Sequence, residues 1–336
     1  MEIRRDRYLE TLISKKHNRL IKVITGIRRC GKSYLLFKLF RDHLASAKVP
    51  DDHVIEMAFD AYENTAYRDP KLFFPYLKSR INDEGMHYVL LDEVQLLGEF
   101  EAVLNSLARM QNVDVYVTGS NARFLSKDII TEFRGRGDEV HMHPLTFAEF
   151  MSVYPGDRDS GWKEYVLYGG IPLILQFATS DQKADFLRNL FEETYISDIV
   201  GRHHVRNKSE LAELLNIISS AIGSLTNPNK LSLTFKSVKN KTISPNTIRT
   251  YIEYFEDSFL IDSALRYDVK GKKYINTPLK YYFTDLGLRN ARLNFRQVEE
   301  THAMENIIFN ELKVRGYHVD VGVVTSNEIN KSGKSI

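Results

Sequence analysis

Short apolar, β-branched runs alternate with stretches of helical spacing along the first part of the chain. Leu20–Thr25 is such a run and stops at Gly26. From Tyr34 to Ala47, Leu35, Leu36, Leu39, Phe40, Leu44 and Ala47 recur at helical intervals, which predicts a helix with one buried stripe. His53–Phe59, His87–Leu91 and Val113–Val117 read as further strands, and Asp138–Met142 as a fifth. Leu72–Ile81 and Phe100–Met110 read as the helices between them. Strands that alternate with helices predict an α/β fold, a mostly parallel sheet with helices on both faces. Beyond the turn-rich Tyr154–Gly161 the pattern becomes mainly helical, with helices expected at Trp162–Leu167, Gln182–Val200 and Ser209–Ser224. Ser244-Pro245 then starts a helix to about Ser258, with Ser as N-cap and Pro in the first turn. Two β-like stretches, Leu260–Asp268 and Lys273–Tyr282, follow across the turn Lys270-Gly271-Lys272.

Composition changes this picture in three places. The chain holds 336 residues, more than one ordinary core accommodates, so two or three domains are expected. Cys30 is the sole cysteine, which excludes an intrachain disulfide, cysteine-based zinc fingers and Fe–S clusters, and fits a reducing cytoplasm. No apolar run approaches the roughly 18–20 residues of a membrane span, so no membrane partner is expected. Charge is uneven. The whole chain is +2, yet Gly201–Arg296 carries 16 Lys and Arg against 8 Asp and Glu, which points that segment toward a polyanion such as duplex DNA or toward a solvated basic surface.

The candidate chemistry sits at the ends of the early strands. Gly26-Ile27-Arg28-Arg29-Cys30-Gly31-Lys32-Ser33 matches G-x-x-x-x-G-K-[ST], with a strand before it and an amphipathic helix after it. In such a P-loop the glycines let backbone N–H groups point at phosphate oxygens, and the helix adds its positive amino end. Lys32 would reach the β- and γ-phosphates and Ser33 would ligate Mg²⁺. Arg28, Arg29, Cys30 and Tyr34 complete the cofactor-binding set, which implies ATP with Mg²⁺. Tyr88-Val89-Leu90-Leu91-Asp92-Glu93 buries a strand and releases two acids at its end. Asp92 is the expected metal partner and Glu93 the base that orients water. No N-K-x-D base reader of the GTPase kind occurs. Ser120 and Asn121, at the end of Val115–Asn121, are placed either to read the γ-phosphate and position water or to cap a helix. Arg134 and Arg136 are candidate arginine fingers. A finger acting in trans would require a homo-oligomer and would be worth ~10³–10⁵ in rate.

These motifs, together with Pro144–Phe150 (PLTFAEF), Tyr168-Gly169-Gly170-Ile171-Pro172 and Tyr281–Leu288 (YYFTDLGL), resemble a group of prokaryotic AAA-type P-loop ATPases. The resemblance covers nearly the whole chain. It implies an ATPase core, a winged-helix segment and a C-terminal domain of unknown function similar to restriction-endonuclease folds. The expected parsing is an ATPase domain over 1–155, a helical linker or lid over 156–208, a winged-helix-like domain over 209–290, and an incomplete nuclease-like α/β opening over 291–336. Glu305, Asn306 and Glu311 look like that opening. The strand carrying its E-x-D acids does not appear before Ile336, so DNA cleavage is not expected.

In the winged-helix drawing, Asn246, Thr247, Arg249 and Thr250 would face a DNA groove and Lys270, Lys272 and Lys273 would hold phosphates. The competing reading packs this module on an ATPase domain as a lid. Two functions are expected to compete: an ATP-hydrolysing switch whose nucleotide state controls DNA or partner binding, and a non-enzymatic nucleotide-gated regulatory or defence module. Glu93 separates them, since a pure binder needs no base beside its metal ligand.

Overall fold

The computed structural model describes residues 2–119, 135–239, 242–269, 273–296 and 299–323. The backbone divides into two compact units, Met1–Trp162 with Gly170–Phe177, and Lys163–Gly169 with Ala178–Ile336.

The first unit is built on five strands, β1 (Ile21–Thr25), β2 (Val54–Ala58), β3 (His87–Asp92), β4 (Val113–Thr118) and β5 (Gly137–His141). Their order is β2-β3-β4-β1-β5, and every pairing is parallel. All residues of β1, β3 and β4 are buried, the pattern of central strands covered on both faces. Helices α1 (Asp6–Ser14), α2 (32–46), α3 (Pro70–Arg80), α4 (Phe100–Leu107) and α5 (Phe147–Met151) connect or flank them. The middle of α2, Leu35–Phe40, widens into a π-helical segment where the 3.6-residue stripe predicts plain α-helix. Leu35, Leu36, Leu39 and Phe40 are all buried there. Asp69 caps α3 by accepting from Lys71 N, with Pro70 in the first turn. On one side of the sheet Val89, Leu91, Val115 and Val117 pack with Phe73, Leu77, Phe100 and Leu104 into a continuous core. Removing each such side chain from water stabilises the fold by about 1.5–3 kcal/mol.

The second unit begins with the last residues of α6 (Arg158–Tyr168) and continues as α7 (180–203), α8 (Lys208–Ser220), α9 (Pro228–Lys239) and α10 (Pro245–Asp257). Helix α9 has no counterpart in the sequence reading. It begins where Asn227 accepts from Lys230 N (2.8 Å), just ahead of Pro228. Strands β6 (Ile261–Asp268) and β7 (Lys273–Phe283) form an antiparallel pair, followed by α11 (Leu286–Arg292), α12 (Glu300–Val314) and β8 (Val321–Val323). Strand β8 joins the same sheet, parallel to β6, and Thr226 makes an isolated bridge to Leu279.

Two glycine motifs of this unit meet each other. A side chain at Gly287 would collide with the Tyr168 carbonyl, and one at Gly169 (φ +75°) with the Asp285 carboxylate. Asn290 Nδ2 donates to Val166 O and Leu167 O, both at 2.9 Å. The buried Asn306 amide clasps Phe283 in both directions, accepting from its N–H and donating to its carbonyl at 2.7 Å. Tyr168-Gly169 and the Phe283–Asn290 stretch are therefore two halves of one backbone dock.

Candidate functional site

Strand β1 ends at Thr25, and Gly26 turns the chain with φ +136°. A Cβ there would run into the Met142 carbonyl just beyond β5, so only glycine lets the loop lie against that strand. Gly31 (φ +102°) closes the loop and opens α2. The Lys32 side chain is buried, and its ammonium donates to the carbonyls of Gly26 (2.9 Å) and Ile27 (3.2 Å). Ser33 is exposed in the first helical turn, Tyr34 and Arg28 are half-buried, and Arg29 is exposed at φ +66°. Cys30 is fully buried and packs beneath the loop. A cleft of about 610 Å³ opens here, lined by Arg28–Tyr34, Asp60, Asp92, Glu93 and Met142, and also by Ile3, Leu145, Pro172 and Leu173. That volume falls in the ~300–1,000 Å³ range of small-molecule sites.

The acids reach this cleft because β4 lies between β1 and β3. Thr118, the last residue of β4, donates its hydroxyl to Asp92 and accepts from Glu93 N (3.1 Å). Glu93 sits in the left-handed region (φ 50°, ψ 46°), so the chain leaves β3 abruptly. Its carboxylate accepts from the Gln95 amide. Burial pushes the Asp92 carboxyl above its ordinary value. Hydrogen bonds from Thr118 and Ser33 oppose the shift, and the charges of Glu93 and Asp60 reinforce it. A buried carboxylate, a serine hydroxyl and neighbouring acids form a set of hard oxygen donors, which suits Mg²⁺.

The sequence reading missed Thr118, Asp60 and Arg5. The buried Arg5 donates to Cys30 O (3.1 Å) and His143 O (2.7 Å) and pairs with Glu149 at 2.9 Å. Glu149 also forms a capping box with Thr146 on α5. Arg5 thus ties the glycine loop to the PLTFAEF segment, and no local pattern around residue 5 signals this. The signal for Thr118 was a hydroxyl residue at the carboxyl end of the buried strand Val113–Thr118.

Other expected site residues lie elsewhere. Ser120, Asn121 and Arg134 fall outside the described residues. Arg136 does not reach the cleft of its own chain. Its carbonyl accepts from Ile21 N (2.7 Å), at the amino end of β1 and thus the opposite edge of the sheet. On α10, Asn246 and Arg249 are exposed and Thr247 and Thr250 half-buried, with the Thr247 hydroxyl 2.8 Å from the Ser244 cap. Arg249 lines a recess of about 290 Å³ with Glu253, Glu256 and Tyr281. Lys270 and Lys272 are outside the described residues. Lys273 opens β7 opposite Asp268. Glu305 accepts from Lys280 (2.6 Å) and Tyr282 (2.7 Å), and Glu311 pairs with Arg315 (2.8 Å), so both serve internal contacts.

Residues 18–151 match the model of the AAA domain, and residues 159–299 match a domain of unknown function (DUF8612). An uncharacterized protein of Haemophilus influenzae is 34% identical over 333 residues, spanning 97% of this chain and 82% of its own length. The chain belongs to the AAA-type P-loop ATPase family. A second relative of this AAA-type protein, the uncharacterized protein MJ1544 of Methanocaldococcus jannaschii, is 28% identical over 313 residues, 88% of this chain and 67% of that one. Among solved structures, the Walker-type ATPase of Pyrococcus abyssi superposes with a TM-score of 0.60 at 15% identity, covering 87% of this chain and 96% of that one. That likeness is one of fold. No described helix of the AAA-type chain is long and apolar enough to cross a membrane.

Proposed function

We propose that this AAA-type chain binds ATP at Gly26–Ser33 and hydrolyses it with Glu93 as the base. One observation carries the reading: the glycine loop with Lys32 and the Asp92–Glu93 strand end line the same cleft, joined by Ser33 and Thr118. Ser33 and Asp92 would hold Mg²⁺, which when bound neutralises charge on the phosphate oxygens. The loop amides and the amino end of α2 bind the triphosphate, and Lys32 exchanges the carbonyls of Gly26 and Ile27 for phosphate oxygens. Glu93 accepts a proton from a water whose oxygen bonds the γ-phosphorus while the bond to ADP breaks, yielding ADP and phosphate. Thr118 orients Asp92 and the Glu93 backbone so that the two acids keep separate tasks. Because Arg136 lies at the far sheet edge, an arginine finger from Arg136 would come from a second copy, and turnover would rise with protein concentration.

The second unit supports a DNA-facing role for this ATPase. Helices α8, α9 and α10 followed by the β6–β7 pair, with the Thr226–Leu279 bridge, follow winged-helix order, and Asn246 and Arg249 are exposed on α10. Glu253, exposed on the same helix, confines such contact to its amino half.

Titration of the intact chain with labelled ATP and magnesium tests the first claim. Saturable uptake is expected, weakened at least ~10²-fold in Lys32→Ala, and equal affinity in that variant overturns the site. A salt series with duplex DNA tests the second, where absence of binding at low salt removes it.

A further inference from the structure

At the amino edge of the sheet, far along β3 from Asp92, three ligand-type side chains converge. His53 closes the short turn before β2, His87 opens β3, and the pairing Val54–Tyr88 sets the two histidines side by side. Asp83 reaches them from the intervening loop, its carboxylate oriented by Gly85 N at 2.7 Å. The ligating atoms of His53, Asp83 and His87 all lie within 4.8 Å of one another.

We propose that His53, Asp83 and His87 bind a divalent transition-metal ion of the zinc type. The hydrogen-bond pattern carries the argument. Nδ1 of His87 lies 2.9 Å from Gly85 O, and Nδ1 of His53 lies 3.3 Å from Met86 O. A carbonyl only accepts, so both Nδ1 atoms carry hydrogen, and in the neutral imidazoles both Nε2 atoms present lone pairs. Backbone carbonyls hold metal-ligating imidazoles in this same way. The lone pairs face an acceptor-only carboxylate, with His53 Nε2 at 3.1 Å and His87 Nε2 at 3.9 Å from its oxygens. His87 is fully buried, and its Nε2 has no hydrogen-bond partner among the described residues.

A proton on His53 would satisfy the 3.1 Å contact and still leave His87 unserved. A cation among the three serves all of them. Two imidazoles and a carboxylate suit Zn²⁺-like ions, and the exposed side of Asp83 leaves water a fourth position. The rings stack at 4.5 Å and 17°, so sharing an ion requires one ring to turn. His53, the more exposed of the two, is that ring. The ion would staple the start of β2 to the loop ahead of β3.

The test is titration of the tag-free, nucleotide-free chain with Zn²⁺ alone, with Co²⁺ absorption reporting coordination. One equivalent is expected to bind and to raise the melting temperature. His53→Gln and Asp83→Asn alter partly exposed side chains, and each should weaken uptake at least ~10-fold and abolish the zinc-dependent rise. No saturable uptake by the wild type overturns the proposal. So does undiminished uptake in either variant, which would place the ion on other histidines.

Discussion

Lys22 and Asp114 face each other across β1 and β4, while Lys32 and Asp92 sit where the loop after β1 and the end of β3 converge on the cleft. Both sets are a buried lysine and a buried aspartate. In the first, the ammonium and carboxylate pair directly, and Tyr116 Oη (2.8 Å) and His17 N (3.0 Å) supply further bonds to Asp114. Nothing is left to offer a ligand. In the second, Lys32 spends its hydrogens on loop carbonyls, and among the described residues Asp92 is bonded to hydroxyls rather than to a cation. The carboxyl rises above its ordinary value because of burial. Burying a charge is costly unless it is paired, so the pair at the sheet centre holds the fold and the unpaired acid at its edge is poised for something bound.

The sharpest way to break that contrast is at the edge. Glu93→Gln should keep ATP affinity and lower turnover ~10²–10⁴-fold in a steady-state phosphate-release assay. Wild-type turnover no faster than this variant would leave a nucleotide-gated binder. At the centre, Asp114→Ala should destabilise the chain by ~3–5 kcal/mol in denaturant unfolding, because Lys22 is left buried without its partner. The folded fraction should retain nucleotide affinity. If affinity fell with stability kept, the two regions would not be separable.

Thr118→Val removes the hydroxyl between Asp92 and Glu93 and should lower turnover about tenfold, with a loss of about 1–3 kcal/mol in stability because Asp92 and Glu93 N each lose a partner. Asp92→Asn has the smallest expected effect on stability, and its sign is the informative part. The folded carboxyl value lies above the ordinary 3.8, so ionisation of Asp92 opposes folding above that folded value and ceases to matter below pH 3.8. The amide variant should therefore melt higher than the wild type at neutral pH, with the gap closing on acidification, while metal-dependent turnover is lost. A variant less stable at pH 7 would show that Asp92 is not strained by burial.

Much of the first unit was legible because its chemistry is local. Strand and helix positions fall within a residue or three of their expected places, since each apolar run is long enough to fill one layer. The G-x-x-x-x-G-K-S string carries its own backbone requirements at Gly26 and Gly31. The Tyr168-Gly169-Gly170 and YYFTDLGL strings were equally conspicuous, but what they do in the structure is pack. Their glycines make room for the protein's own carbonyls and carboxylate, which spacing along the chain does not reveal. Helix α9 escaped the reading because its side chains alternate apolar and polar without a clean stripe.

What the sequence determined by itself was the loop that can grip phosphate, the strand that ends in two acids and the alternation that makes a parallel sheet. These depend on residues within one turn or one strand of each other. The strand order was decided by tertiary structure alone. It sets β4 between β1 and β3 and so brings Thr118 to Asp92 and closes Lys22 on Asp114, while packing of the N-terminal segment against the glycine loop and α5 ties Arg5 to Cys30 and Glu149. Those contacts join residues 25 to 144 positions apart. Their partners are chosen by which strands pair and which surfaces pack, a property of the whole core that no window of sequence contains.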